Sequence, residues 1–149
     1  MVRSLILEYP EDRNVWGIES QYFFGSDMLI APTIQPLDEA EEHMIYLPAG
    51  IWFGFWDKKK IVSHGEWIGF DMAPLSRNHI IKDGAMLCWA PARKRTYNEV
   101  GIIEKVEIYG QRSGPWVCGD GQGSTVEVIK AENGCSVVGR GGVMVEAFE

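Results

Sequence analysis

Tyr46-Leu47-Pro48-Ala49-Gly50-Ile51-Trp52-Phe53-Gly54-Phe55-Trp56 sets two runs of aromatic and aliphatic residues on either side of a Pro-Ala-Gly turn. β-Branched and aromatic residues flanking a tight turn predict strand, turn, strand. A period of two puts Trp52 and Trp56 on one face and Phe53 and Phe55 on the other, with Gly54 between the indoles, so both faces are expected to be covered. Downstream, a lysine turn leads to Ile61–Val62, and a His64-Gly65 turn leads to Trp67–Phe70. From Met44 onward this spacing predicts a meander of short strands. Further strands are expected at 85–89, 106–109, 125–130, 136–138 and 143–147. Upstream, Met28–Ala31 is expected to be a strand. Ser4–Tyr9, an unalternating apolar run ended by Pro10, is expected to be a strand buried on both faces. Ile18–Phe24 is the best helical candidate, with Gly25 as its stop. The fold class predicted is mainly β, an antiparallel β-sandwich. A basic, polar stretch from Pro91 to Asn98 separates an aromatic-rich block from a Val- and Gly-rich one, which suggests a boundary there and a smaller β unit over 93–149.

A chain of 149 residues, 46% hydrophobic and 23% charged, can bury a core without metals or disulfides. Its net charge of −7 excludes the clustered basic footprint that nucleic acid or an anionic membrane requires. The short runs Lys58-Lys59-Lys60 and Arg93-Lys94-Arg95 read as solvated turns. Cys88, Cys118 and Cys135 are odd in number and form no C-x-x-C pair, so neither a zinc knuckle nor a disulfide framework is indicated. The first residues have too short an apolar stretch for a signal peptide, no asparagine begins an N-x-S/T sequon, and a reducing, cytoplasmic location is expected.

Candidates for chemistry are sparse. His43, His64 and His79 are far apart, each near a turn signal, and predict no metal site. No Gly-x-Ser-x-Gly elbow occurs, and no cysteine sits in a nucleophile context. The glycine clusters at 119–123 and 139–142 lack the spacing of dinucleotide or phosphate loops and suit hairpin turns, so no cofactor is expected. Trp52, Trp56, Trp67, Trp89 and Trp116 supply flat apolar rings of the kind that stack on sugar C–H faces. The candidates for that role are Trp52, Trp56 and Trp67. The competing role of the same residues is to fill the core of a small β domain.

Three segments, in order, carry a resemblance. The first is Leu5-Ile6-Leu7-Glu8-Tyr9-Pro10 with Asp12, then Gln21-Tyr22, Phe24-Gly25, Leu29 and Ala31-Pro32. The second is Tyr46 to Trp52 with Phe55-Trp56. The third is Pro74-Leu75-Ser76-Arg77 followed by Asp83-Gly84-Ala85. Together they resemble the C-terminal part of family 31 glycoside hydrolases over about residues 3 to 90. The resemblance implies that residues 1–25 correspond to the last strand and helix of a (β/α)8 barrel and that the β-sandwich following it runs to about residue 92. His79 stands where the family usually has proline, and Lys82 where it usually has arginine, both in a structural strand.

The family's enzymes are retaining α-glycosidases acting on terminal α-linked glucose or xylose. Their two carboxyl groups sit ~5–5.5 Å apart across the bond, at the C-terminal ends of barrel strands. Those strands lie upstream of every segment resembled here. Asp71-Met72 is similar to the start of the nucleophile motif, but Ala73-Pro74 breaks it and it follows the Tyr46–Trp56 hairpin, so Asp71 is expected to be a strand-end residue. The resemblance therefore implies a non-catalytic portion of an α-glycosidase with no catalytic residues of its own. Its expected partner is a catalytic barrel chain or carbohydrate, with self-association through the N-terminal strand as a further expectation. The alternatives are a stand-alone carbohydrate-binding β module and a structural relic without ligand.

Overall fold

The computed structural model describes residues 1–33, 42–71, 79–91, 103–119, 125–131, 134–139 and 143–149. The chain forms two compact units, Met1–Asp83 and Gly84–Glu149. The first holds β1 (Val2–Ser4), α1 (Leu5–Glu8), a 3-10 turn (Arg13–Gly17), β2 (Tyr22–Phe24), β3 (Met28–Ile30), β4 (Glu42–Leu47), β5 (Gly50–Gly54), β6 (Lys60–Ser63), β7 (Glu66–Asp71) and β8 (His79–Lys82). Six of these strands form one sheet in the order β1-β2-β3-β8-β5-β6, while β4 pairs with β7 alone. Every pairing in this unit is antiparallel. Phe23, Leu29, Trp52 and Ile80 of the large sheet share one buried cluster with Ile45 and Leu47 of β4. The β4–β7 pair is therefore the second layer of a mainly β sandwich, as expected.

The meander is not what forms. β5 turns back into β6, pairing Gly50 with Ser63, whereas β4 passes over that hairpin to pair with β7, Glu42 opposite Asp71 through Leu47 opposite Glu66. The physical reason is burial. Residues 45–47 and 52–53 are all essentially excluded from solvent, and two stacked layers can cover that much apolar surface where one flat sheet cannot. The corner between layers is tied by Trp52 Nε1, which donates to the Pro48 carbonyl at 2.9 Å, and by Ser63 Oγ, which donates to the Leu47 carbonyl at 2.6 Å.

The expected shared face for Trp52 and Trp56 also fails, because β5 stops at Gly54. Lys58 N donates to the Gly54 carbonyl and Gly54 N to the Lys59 carbonyl, and this turn swings Trp56 outward. A Cβ on residue 54 would meet the Asp57 carboxylate, so a larger residue there would have to displace that side chain. Trp52 is 1% exposed and Trp56 59%.

Two N-terminal expectations are corrected. Leu5–Glu8 is one helical turn, closed by Tyr9 N donating to the Leu5 carbonyl at 2.9 Å. Only Leu5 is buried in it; Ile6 and Leu7 point outward. A short apolar run does not distinguish buried strand from helical turn, and here a 3.6-residue repeat buries the one leucine that the core can take. Residues 18–24 are not helical: Tyr22–Phe24 is a strand, antiparallel to β1 and β3. Consecutive aromatics favour the pleated conformation, with Phe23 inward at 0% exposure and Phe24 outward at 58%.

The second unit holds β9 (Met86–Trp89), β10 (Lys105–Tyr109), β11 (Trp116–Gly119), β12 (Thr125–Ala131), β13 (Gly134–Gly139) and β14 (Met144–Phe148). Its sheets run β14-β10-β9 and β11-β12-β13, with β10 and β14 parallel and the other pairs antiparallel. Val106 and Ile108 from one sheet and Trp116, Val126 and Val128 from the other make the core. β11, four residues between Pro115 and a glycine, escaped the sequence reading. β9, grouped by sequence with segment 26–92, is hydrogen-bonded to β10, and residues 92–98 of the composition shift lie outside the described residues. Gly84 opens this unit at φ +79. Its N–H donates to the Tyr109 carbonyl, and its own carbonyl accepts from Trp116 Nε1 at 2.9 Å. Among the described residues no helix is long and apolar enough to cross a membrane.

Candidate functional site

The segment before β2 is bolted to β4 by side chains. Gln21 Nε2 donates to the Tyr46 carbonyl at 3.0 Å and Gln21 Oε1 accepts from Tyr46 N at 2.9 Å, so one amide side chain imitates a neighbouring strand. Tyr46 Oη donates to Asp12 Oδ2 at 2.5 Å and accepts from Asn14 Nδ2 at 3.2 Å. Asp12 also caps the 3-10 turn through Asn14 N. Desolvation first, then the Asp12 hydrogen bond, raises the Tyr46 pKa and keeps the phenol a donor. Leu5, Val15 and Phe23 complete the inner side of this segment within the sandwich core.

The outer side of the same segment is apolar. Val2, Leu7, Trp16 and Phe24 are 61%, 68%, 62% and 58% exposed, and Ile6 is 38% exposed. Val2 lies opposite Phe24 across β1 and β2, and α1 packs against both β1 and the 3-10 turn, so the segment that carries these side chains is one packed piece. Trp16 is steadied there by Nε1 donating to the Pro10 carbonyl at 3.1 Å. The sequence signalled the unmet apolar faces of residues 5–7. It did not single out Trp16 or Phe24, whose only signal is an aromatic ring beside turn residues.

The three tryptophans proposed for sugar stacking are separated. Trp52 is core and has no open ring face. Trp67 is 49% exposed and meets Tyr46 edge-on at 5.5 Å. Trp56 stands on the wall of a hollow of about 210 Å³ whose lining includes Asp57, Lys59 and Lys60 at polar positions and Ile61, Phe70 and Ile80 at apolar ones. Trp56 packs edge-on against Phe55 at 4.8 Å and His79 at 6.5 Å. Burial lowers the His79 pKa, which favours the neutral ring, and His79 Nδ1 is enclosed without a hydrogen-bond partner among the described residues.

The other residues singled out by sequence are dispersed. His43 Nε2 lies 2.8 Å from the Ala31 carbonyl, and His64 is exposed on its turn. Asp71 ends β7, opposite Glu42. Among the described residues no three His, Cys, Asp or Glu side chains gather as a metal site would need. In the second unit the buried Glu107 accepts from Tyr109 Oη at 2.7 Å and faces Lys105 Nζ at 2.7 Å, a network of the kind that stabilises a sheet face. Desolvation and Glu107 push the Tyr109 pKa up, while Glu107 and Glu146 raise that of Lys105.

Among the described residues the first unit is thus a two-layer β unit with its ionisable groups dispersed and large apolar side chains exposed along residues 2–24. The family model described as the glycosyl hydrolase family 31 C-terminal domain matches residues 1–87, and the chain belongs to that family. It is 45% identical over 56 residues to an isomaltosyltransferase of Sporosarcina globispora, covering 38% of this chain and 5% of that protein. It is 26% identical over 136 residues to an α-xylosidase of Saccharolobus solfataricus, covering 89% of this chain and 18% of that protein. The solved family 31 α-xylosidase of Xanthomonas citri shares the fold, with TM-score 0.70 at 21% identity, over 99% of this chain and 18% of that one. The chain thus spans less than a fifth of the length of these relatives.

Proposed function

We propose that this chain is the non-catalytic sandwich portion of an α-glycosidase and that it acts by seating against a catalytic barrel through Val2, Ile6, Leu7, Trp16 and Phe24. The observation that carries the reading is the two-sidedness of residues 1–24: one side is locked into the sandwich by Leu5, Gln21 and the Asp12–Tyr46 bond, and the other offers large apolar side chains to solvent. Large apolar side chains exposed together along one short segment are the kind of surface that marks a protein–protein contact. The assembled enzyme then acts on α-linked glucose or xylose, as the names of the relatives suggest, and the barrel supplies both carboxyl groups.

Co-expressed with a family 31 barrel lacking its own C-terminal domain, the chain is expected to co-purify with it and raise its α-glycosidase activity. Leu7→Asp with Trp16→Asp is expected to cut that co-purification at least tenfold, since burying an unpaired carboxylate costs more than the lost apolar contact. The same double variant should keep the fold of the free chain, because both side chains are already in water. Equal recovery of barrel with wild type and variant would sink this reading.

The hollow beside Trp56 supports a second reading, contact with carbohydrate, because an exposed indole above charged hydrogen-bonding groups suits a sugar ring. Maltose or isomaltose at millimolar concentration should then shift tryptophan emission in the wild type and leave Trp56→Ala unmoved. An identical response from both proteins would remove Trp56 as the contact.

A further inference from the structure

β9 and β11 belong to different sheets of the second unit, yet strand register turns one cysteine of each toward the same interior. Residues directly opposite one another in an antiparallel pair project from the same face. Cys88 lies opposite Val106, and Cys118 lies opposite Val126. Both valines are buried in the single cluster that joins the two sheets. Two residues before each cysteine the pattern repeats: Met86 packs on that cluster and Trp116 belongs to it. Both thiols are free. Burial, then the neighbouring Cys118, pushes the Cys88 thiol up to about 12, and Cys118 Sγ donates to the Gly119 carbonyl at 3.6 Å. Cys88 is exposed as a residue and Cys118 partly so, which places the pair at the rim of the interior, within reach of a small molecule.

We propose that Cys88 and Cys118 are a thiol pair that closes reversibly into a disulfide between the two sheets, with a low-molecular-weight disulfide as oxidant. The Cys118 sulfur, as thiolate, attacks one sulfur of the oxidant and expels the other half as a thiol. Cys88 then loses its proton and, as thiolate, displaces the second half. One S–S bond forms in the protein and one breaks in the oxidant. Two protons and two electrons pass from the thiols to the oxidant, which leaves as two thiols. Strand register turns both side chains into the space between the two sheets, the arrangement from which a bridge can close. The bridge closes a loop of about 30 residues and so restricts the unfolded chain.

The test uses the whole chain incubated with oxidised glutathione, then alkylated and mapped by mass spectrometry without reduction. The expected product is a peptide pair linked through Cys88 and Cys118, two hydrogens lighter than the reduced pair, with Cys135 alkylated. The same treatment in concentrated urea should scatter the pairing over all three cysteines. Tm should rise by roughly 5–15 °C on oxidation and fall back with reductant. Cys135→Ser should keep that rise and Cys118→Ser should abolish it. Bridges dominated by Cys135, separate glutathione adducts on Cys88 and Cys118, or a linked product with no change in Tm would each overturn the proposal.

Discussion

Trp52→Ala is expected to destabilise the first unit by ~3–5 kcal/mol, the range for removing a large aromatic side chain from a packed core. Trp52 is 1% exposed, and its ring meets Phe23 at 6.3 Å. Its Nε1 donates to the Pro48 carbonyl at the corner where the chain passes from β4 to β5. Removing the ring leaves a cavity between the layers and takes from that buried carbonyl the donor it has. β5 is also flanked by β6 and β8, so a fault there reaches both neighbours in the sheet. Because a unit of this size has roughly 5–15 kcal/mol in hand, the loss takes at least about a fifth of it. Trp56→Ala, whose ring is largely in water, should change stability by no more than about 0.5–1 kcal/mol. Urea unfolding followed by far-UV circular dichroism separates the two. A Trp52→Ala protein as stable as wild type would show that the ring is not the bridge between the layers.

Incubated with aryl α-glucosides and α-xylosides, the chain by itself is expected to release phenol only at the background rate. Enzymes supply on the order of 8–23 kcal/mol of transition-state stabilisation, and for glycosides much of it comes from two carboxyl groups held ~5–5.5 Å apart on opposite sides of one bond. The chain has 21 acidic residues, so carboxylates as such are plentiful. Positioning is what the described ones lack: Asp12 is committed to Tyr46, Glu107 to Tyr109 and Lys105, and Glu8 to Arg3. Asp71, the residue most similar to a nucleophile by sequence, ends a strand opposite Glu42. Asp71→Ala should therefore leave the rate at background. Turnover that disappears with that substitution would make Asp71 catalytic and end the reading of the chain as a non-catalytic portion.

Most strands were legible because each is a short run of β-branched and aromatic residues between Gly, Pro, Asn or Lys turns, a pattern local enough to read without the fold. The N-terminal segment was not, since a four-residue apolar run serves a strand and a helical turn equally well. Which one forms depends on the core that receives Leu5. Trp56 was misread for a related reason: period-two extrapolation assumes the strand continues, and the turn closed between Gly54 and Lys59 ended it first. The apolar outer end was half legible. Residues 5–7 announced it, whereas Trp16 and Phe24 joined it only when β2 paired with β1 and the 3-10 turn packed on α1.

From sequence alone came the family and the mainly β class, both of which rest on residue types in order along the chain. Tertiary structure alone decided that β4 pairs with β7 rather than with β5, and that Gln21 and Asp12 clamp Tyr46. These are pairings across 19 to 34 residues of chain. Local propensity carries no information about them, because they are selected by which arrangement buries both faces of residues 45–53 and leaves few buried polar groups without a partner.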